Sequence, residues 1–160
     1  MKFLKKYFDF FTGLIFGIII VVPVFMIPGF WKKYYSIYST AAYITKTRFG
    51  MLTIISAFGT ASYYREYVFT TIGMFGFILK RFYPNPSNFF ITNSTKIAGS
   101  MRLVHPFSTI INAEILNENV LVRQNTTIGN RITGRRDVPT IEGDVAVSYT
   151  HLTLPTIYSV

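Results

Sequence analysis

The chain has 160 residues, half of them hydrophobic, 18% aromatic and only 14% charged, which excludes disorder over most of its length. Its net charge of +9 suits a phosphate-rich partner, whether a nucleotide cofactor, an anionic membrane surface or nucleic acid. With no cysteine, disulfides and thiolate chemistry are excluded, and two isolated histidines, His105 and His151, are too few for a histidine metal cluster.

Lys2, Lys5 and Lys6 precede an uncharged run from Phe10 to Trp31, which Lys32 and Lys33 close. FFTGLIFGIIIVVPVFMIPGFW reaches the roughly 20 apolar residues needed to cross a bilayer core, and Trp31, Tyr34 and Tyr35 suit its interface. Pro23 and Pro28 remove backbone donors and favour a kink or an early helix end. Residues 1–33 are therefore read as an apolar segment that contacts a membrane through residues 10–31, spanning it or lying on it. The alternative is an apolar helix buried against the rest of the chain. A cleaved signal peptide fits less well, because no small-x-small site follows the run. Lysines at both ends leave the orientation open.

Residues 34–86 read as a helical region. FGMLTIISAFGTAS and EYVFTTIGMFGFILKRFY are apolar stretches separated by Arg65 and Glu66. In the second, Val68, Ile72, Phe75 and Leu79 recur at helical spacing and are expected to be core. Lys80 and Arg81 sit where a helix C-terminus favours positive charge. Pro84 and Pro86 then stop the helix and mark the best domain boundary.

Over residues 87–147 the helical spacing gives way to β-branched residues and a six-residue period. Ile97 is followed by Leu103; after a one-residue slip come Ile110, Leu116, Val122 and Ile128, then Ile141 and Val147. Such a period fits a coil with three short faces, each turning one aliphatic side chain inward, stacked as a parallel β-helix. Asn130 to Pro139 is then a loop pushed out of the coil. The fold class is α + β: a helical, apolar N-terminal region followed by a truncated parallel β-helix.

LVHPFSTIINAEILNENVLVRQNTTIGN, a basic loop and PTIEGDVAV follow one another here in the order found in the catalytic coils of serine O-acetyltransferases. The chain from about Tyr64 to Val147 resembles these hexapeptide-repeat acyltransferases, and most of all their relatives from bacterial surface-polysaccharide gene clusters. The resemblance implies a left-handed β-helix, acetyl-CoA as co-substrate without a metal, and a homotrimer with active sites between coils of adjacent subunits. It implies that His105 is the catalytic base, removing a proton from an acceptor hydroxyl that attacks the thioester. Imidazole suits this role, with an unperturbed pKa of about 6.5. The resemblance also implies that backbone amides near Gly129 and Asn130 line the thioester channel. Arg135 and Arg136 in the basic loop are within the class of residues that contact CoA phosphates, but arginines in an exposed loop are more often simply solvated.

Two positions depart from that pattern. Val104 stands where the family carries an aspartate before the histidine, and Val138 where it carries a second histidine before the loop proline. Valine can neither accept a hydrogen bond nor balance an ammonium group, so a sugar hydroxyl joins serine as an acceptor. A non-catalytic, membrane-associated scaffold, or an inactive fragment, is the alternative reading. Nucleic acid is not an expected partner, since the basic residues form no aromatic-interleaved motif. Acetyl-CoA as co-substrate implies a cytoplasmic protein, attached to the inner face of the membrane if residues 10–31 anchor it. Val147 to Thr156, VSYTHLTLPT, resembles the translation of a transposase-derived sequencing adapter. Residues 148–160 are therefore expected to be a non-native tail, a genuine β-strand being the alternative, and His151 is given no role.

Overall fold

The computed structural model describes residues 11, 15, 29–82, 88–130, 138–148 and 151–153. The apolar run at 10–31 lies mostly outside the described residues, as do Pro84, Pro86, Arg135 and Arg136. Among the described residues no helix is long and apolar enough to cross a membrane.

Four described helices come first: α1 (Phe30–Thr45), α2 (Met51–Thr60), α3 (Ser62–Thr71) and α4 (Met74–Phe82). The stretch expected to be one helix from Glu66 onward is two, because Gly73 turns left-handed (φ 69°) between α3 and α4, a conformation glycine enters without a Cβ penalty. The break divides the predicted stripe. Val68 and Ile72 are buried and Leu79 packs partly buried against the core, but Phe75 faces solvent at 53% exposure. What α4 turns inward is Gly76, where a Cβ would collide with the Phe69 carbonyl, so the two helices meet only because that side chain is absent.

Ten short strands follow among the described residues: β1 (Phe89–Ile91), β2 (Lys96–Ile97), β3 (Met101–Val104), β4 (Thr109–Ile111), β5 (Ile115–Leu116), β6 (Val120–Arg123), β7 (Thr127–Gly129), β8 (Thr140–Ile141), β9 (Ala146–Val147) and β10 (His151–Thr153). They form three parallel sheets, β1-β4-β7-β10, β2-β5-β8 and β3-β6-β9, which the chain visits in turn as a parallel β-helix-like stack. Register aligns the inward side chains into columns. Ile91, Ile111 and Ile128 form one, Ile97, Leu116 and Ile141 a second, and Leu103, Val122 and Val147 the third. All are buried except Ile97, which packs partly buried against the others. β10 continues the first sheet, with Leu152 beside Ile128, within the stretch expected to be a tail.

One predicted inward residue is wrong. Ile110 is half exposed, and its neighbours Thr109 and Ile111 are the buried pair. Successive strand residues face opposite sides, so an error of one position reverses the assignment. Its source is the corner before β4: eight residues separate inward Leu103 from Ile111, against six from Val122 to Ile128. The expected extruded loop falls mainly on residues 131–137, outside the described residues. Pairing with the coil below resumes at Pro139, whose carbonyl accepts the Glu114 amide at 2.8 Å, and at Ile141, whose carbonyl accepts Asn117 at 3.0 Å.

Helices and coil share one hydrophobic core, which includes Phe58, Tyr64, Tyr67 and Phe69 from the former and Phe89, Met101, Leu103 and Val120 from the latter. The Phe58 and Phe69 rings meet edge to face at 5.6 Å. The helices also close the first edge of the stack, where unpaired strand groups would otherwise invite further pairing. The Ile91 amide donates to Glu66 Oε1 at 3.2 Å, the Met101 amide to Thr40 Oγ1 at 3.0 Å, and the Tyr67 hydroxyl to the Gly99 carbonyl at 3.2 Å. Arg65 and Glu66, which in the sequence separate two apolar stretches, are therefore buried connectors. Arg65 Nη1 donates to the Phe58 carbonyl at 2.9 Å, and Glu66 pairs with Lys80 at 2.7 Å.

Candidate active site

His105 stands in the lengthened corner between β3 and β4. Pro106 is buried and anchors the turn, while His105, Phe107 and Ser108 face outward. His105 and Ser108 both take positive φ, 46° and 53°. For His105 this is uncommon backbone, more so directly before a proline, and such strain persists only where the surroundings fix it. They do. The Phe107 amide donates to the His105 carbonyl at 2.8 Å, and the Phe107 carbonyl accepts Asn125 at 3.0 Å and Thr109 Oγ1 at 3.2 Å.

The imidazole is exposed, its side chain has no hydrogen bond among the described residues, and its ring centroid lies 6.5 Å from that of Phe107. The corner is therefore a rigid backbone presenting an accessible imidazole beside an exposed aromatic ring. Val104 is half-buried and pairs in register with Arg123, a cation on the next coil. Sequence reasoning singled out neither Phe107 nor Arg123. The only sequence signal for the first is its place in the HPF triplet, and the second emerges from the coil-to-coil register, legible only once the strands are aligned.

Gly129 and Asn130 lie elsewhere. They close β7 at the far end of the sheet from the His105 corner, about 10 Å of strand away at roughly 3.3 Å per residue. Asn130 Oδ1 accepts Asn112 Nδ2 at 3.0 Å, and Thr92 Oγ1 donates to Asn112 Oδ1 at 3.2 Å, a polar ladder up one corner of the stack. One chain thus does not bring His105 and Gly129–Asn130 together. Val138 is half-buried before the buried Pro139, and His151 contributes a strand residue paired with Thr127. A groove lined by Tyr35, Tyr38, Tyr43, Lys46 and Arg48 belongs to α1 and the residues after it and includes nothing from the His105 corner. Comparison with known protein families, with curated proteins and with solved structures found no match.

Proposed function

We propose that this chain carries the catalytic coils of an acetyl-CoA-dependent O-acetyltransferase of the serine acetyltransferase type, built as a left-handed hexapeptide β-helix. In this reading His105 takes the proton from an acceptor hydroxyl, whose oxygen attacks the thioester carbonyl. The C–S bond breaks, and the departing CoA thiolate recovers the proton. The acceptor is serine or, given Val104 and Val138, a sugar hydroxyl. Gly129 and Asn130 line the thioester channel from a neighbouring subunit of a homotrimer, which accords with their distance from His105 in one chain. The protein works in the cytoplasm, at the inner face of the membrane if residues 10–31 anchor it.

The observation that carries this reading is an accessible imidazole on strained, hydrogen-bonded backbone at the lengthened corner of a three-sheet stack. Strain of this kind concentrates at functional sites. The test is release of free CoA from acetyl-CoA in the presence of serine or a sugar acceptor. It uses the chain with the coding sequence found by resequencing across the codons for Val147 and Ser148. His105→Ala is expected to lower turnover about 10²–10⁴-fold, the usual weight of a positioned base. Unchanged turnover removes His105 from the mechanism.

A second reading, a non-catalytic scaffold, is favoured by two observations: His105 has no side-chain hydrogen bond among the described residues to orient it, and valine precedes it. Titration calorimetry separates the two. Binding of acetyl-CoA supports the enzyme, and no heat supports the scaffold.

A further inference from the structure

Helix α4 is unusual in what it leaves uncovered. Of its nine residues, Met74, Phe75, Phe77, Ile78 and Phe82 are between 51% and 81% exposed. At 100° per residue these side chains occupy a single broad arc. The helix cannot roll to bury them. Gly76 is seated against the Phe69 backbone, and Lys80, on the inner side, is tied to Glu66 at 2.7 Å and Asn93 Oδ1 at 3.2 Å. Beyond Lys80, whose ammonium lies 5.8 Å from the Phe90 ring centroid, the half-exposed and register-paired Phe90 and Ile110 extend the apolar surface onto the first sheet.

We propose that the outer face of α4, continued by Phe90 and Ile110, docks on an anionic lipid bilayer. Arg81 decides between a bilayer and a second copy of this chain. It is exposed and falls within the apolar arc, and from Tyr67 to Ala113 the chain contains no carboxylate. Pairing α4 with α4 of another copy would bury this guanidinium in an apolar seam with no acid from this stretch to meet it, a costly arrangement. In a membrane interface the apolar side chains enter the acyl boundary while the long arginine stem carries its charge back to lipid phosphates. The helix is about 13 Å long against a hydrocarbon core of roughly 30 Å, so it lies in the interface plane. This surface draws on no residue of the 10–31 run and does not depend on the acetyltransferase reading.

The chain has no cysteine, so Ile78→Cys gives a single attachment point for an environment-sensitive fluorophore. Vesicles of phosphatidylcholine with phosphatidylglycerol are expected to shift its emission to the blue, and vesicles of phosphatidylcholine alone to do so far less. In co-sedimentation, Phe77→Ser with Ile78→Ser is expected to lower partitioning about tenfold or more, the weight of large apolar side chains kept in water. Arg81→Glu is expected to lower it at least about fivefold on the anionic vesicles only. An unshifted probe overturns the proposal. So does partitioning that neither variant changes, which would leave membrane contact to residues 10–31. A blue shift that grows with protein concentration without vesicles, with a doubled mass in sedimentation velocity, overturns it in favour of self-association.

Discussion

The Glu66 carboxylate accepts the Ile91 amide at 3.2 Å, taking the place of the strand neighbour that β1 lacks at the start of the stack. The same oxygen holds Lys80 at 2.7 Å, and Lys80 in turn reaches Thr70 Oγ1 at 3.2 Å and Asn93 Oδ1 at 3.2 Å. One buried carboxylate therefore links α3, α4 and the first coil. It turns the helical region into an end-cap for the sheets rather than a separate body.

Removing that carboxylate leaves a partly buried cation and an unsatisfied amide. Glu66→Ala is expected to destabilise the fold by about 3–5 kcal/mol, the range for breaking a buried pair by deleting one partner. Urea unfolding followed by circular dichroism measures it. Adding Lys80→Met to Glu66→Ala should recover part of the loss, since the stranded charge goes with it. If the double variant is no more stable than the single one, the ion pair is not the source of the effect.

The inward columns make a sharper test of the coil. Ile111→Ala empties a fully buried site and is expected to cost about 2–4 kcal/mol, whereas Ile110→Ala, one residue away and half exposed, should cost under about 1 kcal/mol. Equal losses would mean that the register of β4 is not the one described.

That pair also shows how much of the fold was legible in the sequence. Leu103, Leu116, Val122, Ile128, Ile141 and Val147 were readable because they keep their spacing within and across undisturbed turns, and each is buried. Ile110 was misread because two further residues in the corner at His105–Ser108 shift the phase, and in Thr-Ile-Ile the polar residue, Thr109, is itself buried, so polarity points to the wrong face. The closing of the stack by Thr40, Glu66 and Tyr67 was not legible at all. Those side chains find the strand edge only through packing between residues distant in sequence. The corner that holds His105 was not legible either, since no propensity places a histidine before proline at positive φ.

The strain at His105 separates its structural from its chemical role. Glycine adopts φ 46° freely, so His105→Gly is expected to be more stable than His105→Ala by about 0.5–1 kcal/mol, despite the greater freedom of glycine in the unfolded chain. Thermal unfolding of the two variants checks this. If His105 is the base, both should lack turnover regardless of which is more stable. Turnover that tracks stability would point to a corner that merely holds the coil.

High pH should open the core from the helical side. Burial pushes the Tyr64 phenol well above the usual tyrosine range, with neighbouring Tyr67 and Tyr34 adding to it, and burial also raises Tyr67, partly offset by its hydrogen bond with Ser36. A raised folded-state pKa means that the fold prefers the neutral phenol. Its contribution is complete below the unfolded value of about 10 and is lost as pH climbs from there toward the folded value. Stability is therefore expected to fall above about pH 10, with buried phenolate absorbance appearing together with loss of helical signal rather than before it. Tyr64→Phe removes the hydrogen bond to the Ile37 carbonyl at 2.9 Å and should cost about 1 kcal/mol at neutral pH, yet flatten the alkaline decline. Were the phenols of Tyr64 and Tyr67 to ionise near 10 with the helices intact, they would not be sealed between α1, α3 and the coil.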